Sequence, residues 1–283
     1  MIRRVRFQTH PIPGTPPMSP FAPWLERWTL APDGAPIRTP SSDLLPVRAG
    51  DRPAMLKLAR SEEERRGAAL LRWLGSGTAA EVLEFEGPAL LLERATGPDL
   101  VTLALTDDAA ATEVILEVAS RLHQARAHPP ETEPLSDYLA ALLSPRGAAR
   151  FPGEAALARD LLESTTAPLP LHGDLHHGNI LDFGGRWRVI DPKGLHGDRT
   201  FDFARLFFNP DAIDPAHGLA IRPQVFVERL ARVSSGAGLD PDRLRGWIRV
   251  KAAVSMLWQH GAPDPLTERI KRLTESPLTM NIF

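Results

Sequence analysis

Residues 172–194 read HGDLHHGNILDFGGRWRVIDPKG, and the fold depends on how this stretch pairs with itself. Gly184-Gly185 sits between two short apolar alternations, the signal of a two-residue hairpin turn. With those glycines as the turn, Phe183 pairs with Arg186, Asp182 with Trp187, Leu181 with Arg188, Ile180 with Val189 and Asn179 with Ile190. The open end of the hairpin then sets Asn179 beside Asp191, with opposed Cα atoms about 5 Å apart. An amide oxygen next to a carboxylate suits a hard, oxygen-seeking cation such as Mg²⁺, which is normally completed by water and phosphate. Asp174 lies five residues before Asn179, in the loop feeding the hairpin. It is close to such a cation but belongs to another segment, and is free to handle a proton.

The three histidines of HGDLHHGN admit a second reading, a zinc site in a metal-dependent hydrolase. His172 and His176 would need a helix to face one metal, and Gly173 and Gly178 oppose that helix. Adjacent His176 and His177 in an extended loop point to opposite sides. The favoured reading makes His172 scaffold and gives the chemistry to Asp174, Asn179 and Asp191.

Outward from this stretch, the chain changes character at about residue 94. Before it, strand-like pieces alternate with turn chemistry: Asp33-Gly34, Ala49-Gly50-Asp51 and Gly87-Pro88 each read as a hairpin turn. Between them SEEERRGAALLRWLG (61–75) carries a helix start, acidic first turn and terminal glycine. Residues 28–95 therefore read as a small antiparallel sheet with one inserted helix. Residues 1–24 read as a proline-rich arm with a short helix near Phe21 to Arg27. After Gly97 the period becomes helical, with Val114, Ile115, Val118 and Leu122 on one stripe. Further helices are expected over LSDYLAALLS, EAALARDLLEST, PQVFVERLARV and RLRGWIRVKAAVSMLWQHG. Strand signals in this half are confined to Leu171–Ile190.

Composition narrows the function classes. The 283 residues are 43% hydrophobic and 24% charged, with net charge −2 and no cysteine. Disulfides, thiolate metal sites and a cysteine nucleophile are excluded, and no basic excess calls for nucleic acid. Residues 101–170 hold ten acidic and five basic side chains, read as a solvated helix face rather than a cation site. No apolar run is long enough to cross a membrane, and no secretory signal is expected, because no apolar run follows the basic residues of MIRRVRFQTHPIPG. A cytoplasmic monomer or weak dimer, without nucleic-acid or membrane partners, is expected. LGSGTAA (74–80) imitates a dinucleotide loop, but follows a helix rather than a strand and is rejected. The six tryptophans and the apolar stripe of the last long helix read as core.

A loop aspartate, an asparagine five residues on, and an aspartate after a short hairpin form the phosphoryl-transfer constellation of protein-kinase-like enzymes. HGDLHHGNIL followed by VIDPKGLHGDRTFDFARLF resembles the aminoglycoside phosphotransferases. Within them the DPKG variant and LLPVRAGDRPAMLKLARSEEERRGAALLRWL resemble the streptomycin and hydroxyurea phosphotransferase branch, over roughly residues 28–260. The resemblance implies an α+β, two-lobe, protein-kinase-like fold: residues 1–94 a small antiparallel sheet of five strands with one helix, residues 95–283 mostly helical. It implies ATP and Mg²⁺ as cofactors and a small-molecule hydroxyl as acceptor, an aminoglycoside such as streptomycin or a non-antibiotic metabolite. A non-catalytic nucleotide-binding protein is the remaining alternative.

The roles it implies are specific. Asp174 handles the proton of the acceptor hydroxyl, and Asn179 and Asp191 hold the metal. Lys57, in AMLKLA, reaches the phosphates. Its glutamate partner is Glu64 in preference to Glu63, because the family's usual position falls near Gly67. Ser41 and Ser42 contact phosphate, and backbone groups of Glu93 to Ala95 read the adenine edge. Asp202 is either a helix cap or a tie for the loop backbone.

Overall fold

The structure, a computed structural model, describes residues 19–124, 126–258 and 264–276. The proline-rich arm up to residue 18 lies outside the described residues, and helix α1 (Ala22–Arg27) follows it. Six strands then build one antiparallel sheet: β1 (Leu30–Pro32), β2 (Ile37–Arg38), β3 (Ser42–Ala49), β4 (Arg52–Ala59), β5 (Val82–Glu86) and β6 (Ala89–Glu93). Their spatial order is β1-β3-β4-β6-β5, with β2 also on β3. The β3–β4 hairpin closes at Gly50-Asp51, where Ala49 pairs with Arg52 and Gly50 takes φ +58°. The β5–β6 hairpin closes at Gly87-Pro88.

The Asp33-Gly34 hairpin expected from the sequence does not form. Both β1 and β2 lie on the same edge of β3, Leu30 opposite Ala49 and Ile37 opposite Leu44. A two-residue hairpin of the favoured types needs positive φ at its turn glycine, and Gly34 is not among the positive-φ residues. Residues 33–36 instead bulge out of one broken edge strand, which is also why the sheet has a sixth, two-residue member.

Helix α2 (Glu62–Leu74) has the ends that its sequence announces. Ser61 accepts from the Glu64 N–H, three glutamates occupy the first turn, and Gly75 ends the helix at φ +71°. Acidic side chains there meet the positive end of the helix dipole. Alternation along β4 decides which side chains face α2. Leu56 and Leu58 enter a small core with Phe21, Leu45 and Val47, so Met55 and Lys57 must face the other side.

The rest is mainly helical: α3 (Leu100–Thr106), α4 (Asp108–Leu122), α5 (Leu135–Tyr138), α6 (Ala140–Leu143), α7 (Pro145–Arg150), α8 (Pro152–Glu163), α9 (Pro223–Ala237), α10 (Pro241–Trp258) and α11 (Pro265–Glu275). No helix among the described residues is long and apolar enough to cross a membrane. One large core runs from Leu70 and Leu74 of α2 through Ile115, Phe203 and Trp247. LSDYLAALLS is two short helices rather than one. Strands also occur outside the expected span: β7 (Glu133–Pro134), β8 (Leu169–Leu171) and β11 (Leu195–Gly197) form a three-stranded sheet. Two- and three-residue strands carry no readable alternation.

The hairpin of β9 (Ile180–Asp182) and β10 (Trp187–Val189) has the register expected, Asp182 opposite Trp187 and Ile180 opposite Val189. Its turn glycines take φ +69° and +86°, the type I′ requirement. Bonds from Phe183 N to Arg186 O and from Ile190 N to Asn179 O extend it at both ends.

Helix α2 presses on the segment just after this hairpin. A Cβ on Gly67 would overlap the carbonyl oxygen of Pro192, whereas one on Gly77 would meet nothing within 4 Å. Gly67→Ala is expected to lower unfolding free energy by about 1–3 kcal/mol, and Gly77→Ala to change it by less than about 0.5 kcal/mol. Urea denaturation of both variants checks the pair.

Candidate active site

Lys57 on β4 is 9% exposed and touches two carboxylates from distant parts of the chain, Glu64 of α2 and Asp191. Burial works against its charge, but Asp191 and Glu64 outweigh burial and raise its pKa. Glu64 also accepts from the Ser41 hydroxyl at 2.5 Å. Gly67 lies against Pro192 with no room for a side chain, so the carboxylate for Lys57 comes from one helical turn earlier. Glu63, the neighbour weighed against it, pairs with Lys193 at 2.8 Å. Asp191 takes φ +58°, a left-handed conformation that Asp tolerates at a cost on the order of 1 kcal/mol.

The loop bearing Asp174 is held from beneath. Asp202, in the 3₁₀ segment Arg199–Phe208, is 1% exposed. It accepts from the backbone N–H of His172 at 3.0 Å and of Gly173 at 2.6 Å, and its Oδ2 lies 2.9 Å from His123 Nε2. Of the two roles weighed for Asp202, the backbone tie is the one observed. The cap is Asp198, which accepts from the Thr200 N–H at 2.9 Å.

The three histidines are not grouped on one centre; among the described residues no three metal-binding side chains gather. His172 is fully buried, with Nε2 2.9 Å from Ile190 O while Nδ1 accepts from Asp174 N–H. One nitrogen donating and one accepting defines a neutral imidazole, and burial lowers its pKa accordingly. His176 accepts from Gly178 N–H at 3.0 Å and is driven by burial to about 4. His177 is buried, and its pKa is lowered first by burial and then by Arg229.

Asp174 meets positive charge instead. Arg205 Nε lies 3.2 Å from one carboxylate oxygen and His176 Nε2 3.8 Å from the other. Burial would raise its pKa, but His176, Lys251, Arg205 and Lys193 hold it well below the usual carboxylate range. With His176 itself neutral at pH 7, the other cations carry that effect. The Asn179 amide donates to Asp174 O at 3.0 Å, which turns its oxygen away, free of any protein donor among the described residues.

A cavity of about 460 Å³ gathers most of these groups. Ser41, Ser42, Lys57, Glu64, Glu93, Ala95, Asp174 and Asp191 all line it, together with apolar walls from Leu44, Met55, Leu92 and Ile190. Asn179 does not reach its surface. Ser42 Oγ lies 3.0 Å from Thr39 Oγ1 and is buried. Glu93 gives its side chain to Arg188 at 2.6 Å and its N–H to Glu81 O. Arg94 N–H reaches Pro53 O, whereas Ala95 N–H meets no protein acceptor among the described residues. Arg205, Lys193 and Lys251 were not singled out from the sequence. Lys251 did leave a signal there, a lysine inside the apolar stripe of RVKAAVSML.

Residues 27–262 match the family described as aminoglycoside/hydroxyurea antibiotic resistance kinases. A streptomycin 3''-kinase of Klebsiella pneumoniae is 45% identical over 240 residues, 83% of this chain and 90% of that protein. A hydroxyurea phosphotransferase of Kitasatospora aureofaciens is 35% identical over 256 residues, 84% of this chain and 72% of that protein. Among solved structures, an aminoglycoside phosphotransferase in ternary complex with ADP and hygromycin B superposes with TM-score 0.57 at 19% identity. That match covers 91% of this chain and 98% of the other, and establishes the protein-kinase-like fold.

Asp202→Ala would strand two loop N–H donors and the His123 ring without an acceptor. A loss of about 3 kcal/mol in stability is expected, read as a drop in the midpoint of thermal or urea unfolding.

Proposed function

Because the chain belongs to the aminoglycoside/hydroxyurea antibiotic resistance kinases, a family of phosphotransferases acting on hydroxyl groups, we propose that it phosphorylates streptomycin with ATP and so confers resistance. The observation that carries this reading is one cavity that unites Lys57, Glu64 and Asp191 with Asp174. Residues 1–94 would serve as the nucleotide-binding lobe and residues 95–283 as the lobe of the catalytic loop and acceptor. The supply of ATP places the reaction in the cytoplasm.

In this reading adenine lies between the apolar walls, with the free Ala95 N–H and the backbone at Glu93 on its edge. Lys57, kept charged and aimed by Glu64, binds the phosphates, and the Ser41-Ser42 turn closes over them. The unshared Asn179 oxygen and the half-exposed Asp191 carboxylate are the hard oxygen donors that Mg²⁺ requires. When bound, Mg²⁺ neutralises charge on the phosphates. Asp174, with its pKa well below neutrality, is too weak a base to strip a hydroxyl in advance. It orients the acceptor oxygen for in-line attack and takes the proton late, as a loose phosphoryl transition state allows. The acceptor oxygen gains the phosphoryl group, ADP leaves, and the proton passes from Asp174 to solvent. No phospho-enzyme forms, and the rate comes from positioning and charge neutralisation.

One observation favours a second reading, a kinase of an uncharged hydroxyl compound. The groups around Asp174 are cationic, with Arg205 in contact and Lys193 and Lys251 nearby. A strongly cationic sugar must keep its charges away from them.

Streptomycin is expected to stimulate ADP release with Mg·ATP, and expression to raise the streptomycin concentration that cells survive. Stimulation by hydroxyurea or neutral alcohols alone would select the second reading. Asp174→Asn should cut turnover by about 10²–10⁴-fold while Mg·ATP still binds, measured by calorimetry; full activity in this variant removes Asp174 from its role.

A further inference from the structure

Lys193 follows Asp191 by two residues, and its backbone N–H donates to the His172 carbonyl at 2.7 Å. His172 stands two residues before Asp174. That one bond roots the Lys193 side chain between Asp191, on the nucleotide side, and Asp174, on the acceptor side. A Cβ on Gly173 would lie 3.2 Å from the Lys193 Cβ, so the two segments meet closely here. Lys193 lines the cavity, as do Asp174, Asp191 and Glu63. Arg205 touches Asp174 as well, but neither it nor Lys251 is on the cavity wall.

The Lys193 ammonium meets Glu63 of α2 at 2.8 Å, with the two side chains 21% and 38% exposed. An ion pair so open to solvent adds little to stability. The approach of α2 to this segment is already secured by Gly67 on Pro192 and by Arg66 on Glu133. A clamp between the two parts of the chain therefore does not account for the pair. The other cations on the wall have their places: Arg94 is held by Asp33, and Lys57 is shared by Glu64 and Asp191. Lys193 is the cation left beside Asp174.

We propose that Lys193 is a further catalytic residue, its ammonium contacting a non-bridging oxygen of the phosphoryl group during transfer, with Glu63 as the positioning residue that aims it. This rests on the reading of Asp191 and Asp174 as the nucleotide and acceptor ends of the site. In the transfer, the bond from the terminal phosphorus to the ADP oxygen breaks as the bond to the acceptor oxygen forms. Negative charge is spread meanwhile over the three non-bridging oxygens. Lys193 keeps its proton throughout, and the acceptor's proton goes to Asp174. A cation aimed beforehand at those oxygens stabilises the transition state more than the bound substrates. The two lysines thus divide the phosphates: Lys57 holds those that stay with ADP, and Lys193 meets the one that leaves.

The test uses full-length protein and two readouts. Calorimetry follows Mg·ADP binding in the presence of streptomycin, with and without aluminium fluoride, a mimic of the planar phosphoryl group. Wild-type protein is expected to bind Mg·ADP more tightly when aluminium fluoride is present. Lys193→Met should bind Mg·ADP as wild type does and lose most of that tightening, whereas Lys193→Arg should keep part of it. With Mg·ATP and streptomycin, or hydroxyurea as the alternative acceptor, Lys193→Met should lower kcat about 10²-fold. KM for both substrates should change by less than about threefold. Glu63→Gln should lower kcat by about tenfold or less and add nothing to Lys193→Met.

Wild-type kcat and undiminished tightening in Lys193→Met would overturn the proposal. So would an equal loss of plain Mg·ADP binding, which puts Lys193 on the phosphates that stay, or lowered stability with kcat intact, the mark of a clamp. Asp174→Asn measured in parallel separates the two failures. If it is inactive while Lys193→Met is normal, only this inference falls; if it is fully active, the reading of Asp174 falls and takes the inference with it.

Discussion

One ammonium group, that of Lys57, is shared by two carboxylates, Glu64 and Asp191, from opposite parts of the chain. The site depends on this sharing. A buried lysine is tolerable only with its charge matched, and removing one partner from such a cluster costs about 3–5 kcal/mol. The match requires α2 to approach the segment after the β9–β10 hairpin closely enough for both acids to reach one nitrogen. Gly67 against the Pro192 carbonyl is where that approach is made. Sheet, helix and hairpin are thereby fixed relative to one another, and the cavity between them acquires a defined shape.

The two buried lysines show how the same side chain is driven in opposite directions by its partners. Both lose water, which disfavours the charged form. At Lys57 two carboxylates in contact more than restore the charge, and its pKa rises. At Lys251 no carboxylate is in contact among the described residues, so burial, helped by Arg205 and Lys193, lowers its pKa to about 7. A permanently charged nitrogen suits a group that binds phosphate.

Much of this was legible in the sequence wherever a local rule fixed a long-range consequence. The Gly184-Gly185 turn set the hairpin register residue by residue, because side chains alternate and a one-residue slip would turn Ile180 and Val189 outward. The place of Lys57 in an apolar strand directly before a glutamate-rich helix marked it, and one helical turn back from Gly67 led to Glu64. What stayed hidden depends on contacts with no local signature. The broken edge strand at 30–38 looks like a hairpin until β3 is there to pair with both halves. Strands β7 and β11 are too short to show a pattern. Arg205 reaches Asp174 only because Asp202, three residues earlier, anchors the 3₁₀ segment under the loop.

The histidine-rich loop owes its chemistry to the histidines' lack of charge. His172 spends one ring nitrogen on Ile190 O and the other on the Asp174 N–H, a pattern open only to the neutral ring. Were it protonated, it would repel the Asp174 N–H and loosen the loop. His176 accepts from Gly178 N–H in the same way and is held neutral by burial. Neutral imidazoles brace the backbone without adding charge. The potential at Asp174 is then set by Arg205, Lys193 and Lys251, each delivered by a different element, and changing one of them leaves the loop intact. Shape and charge at the site are therefore separately adjustable, the first by the histidines and Asp202, the second by the three cations.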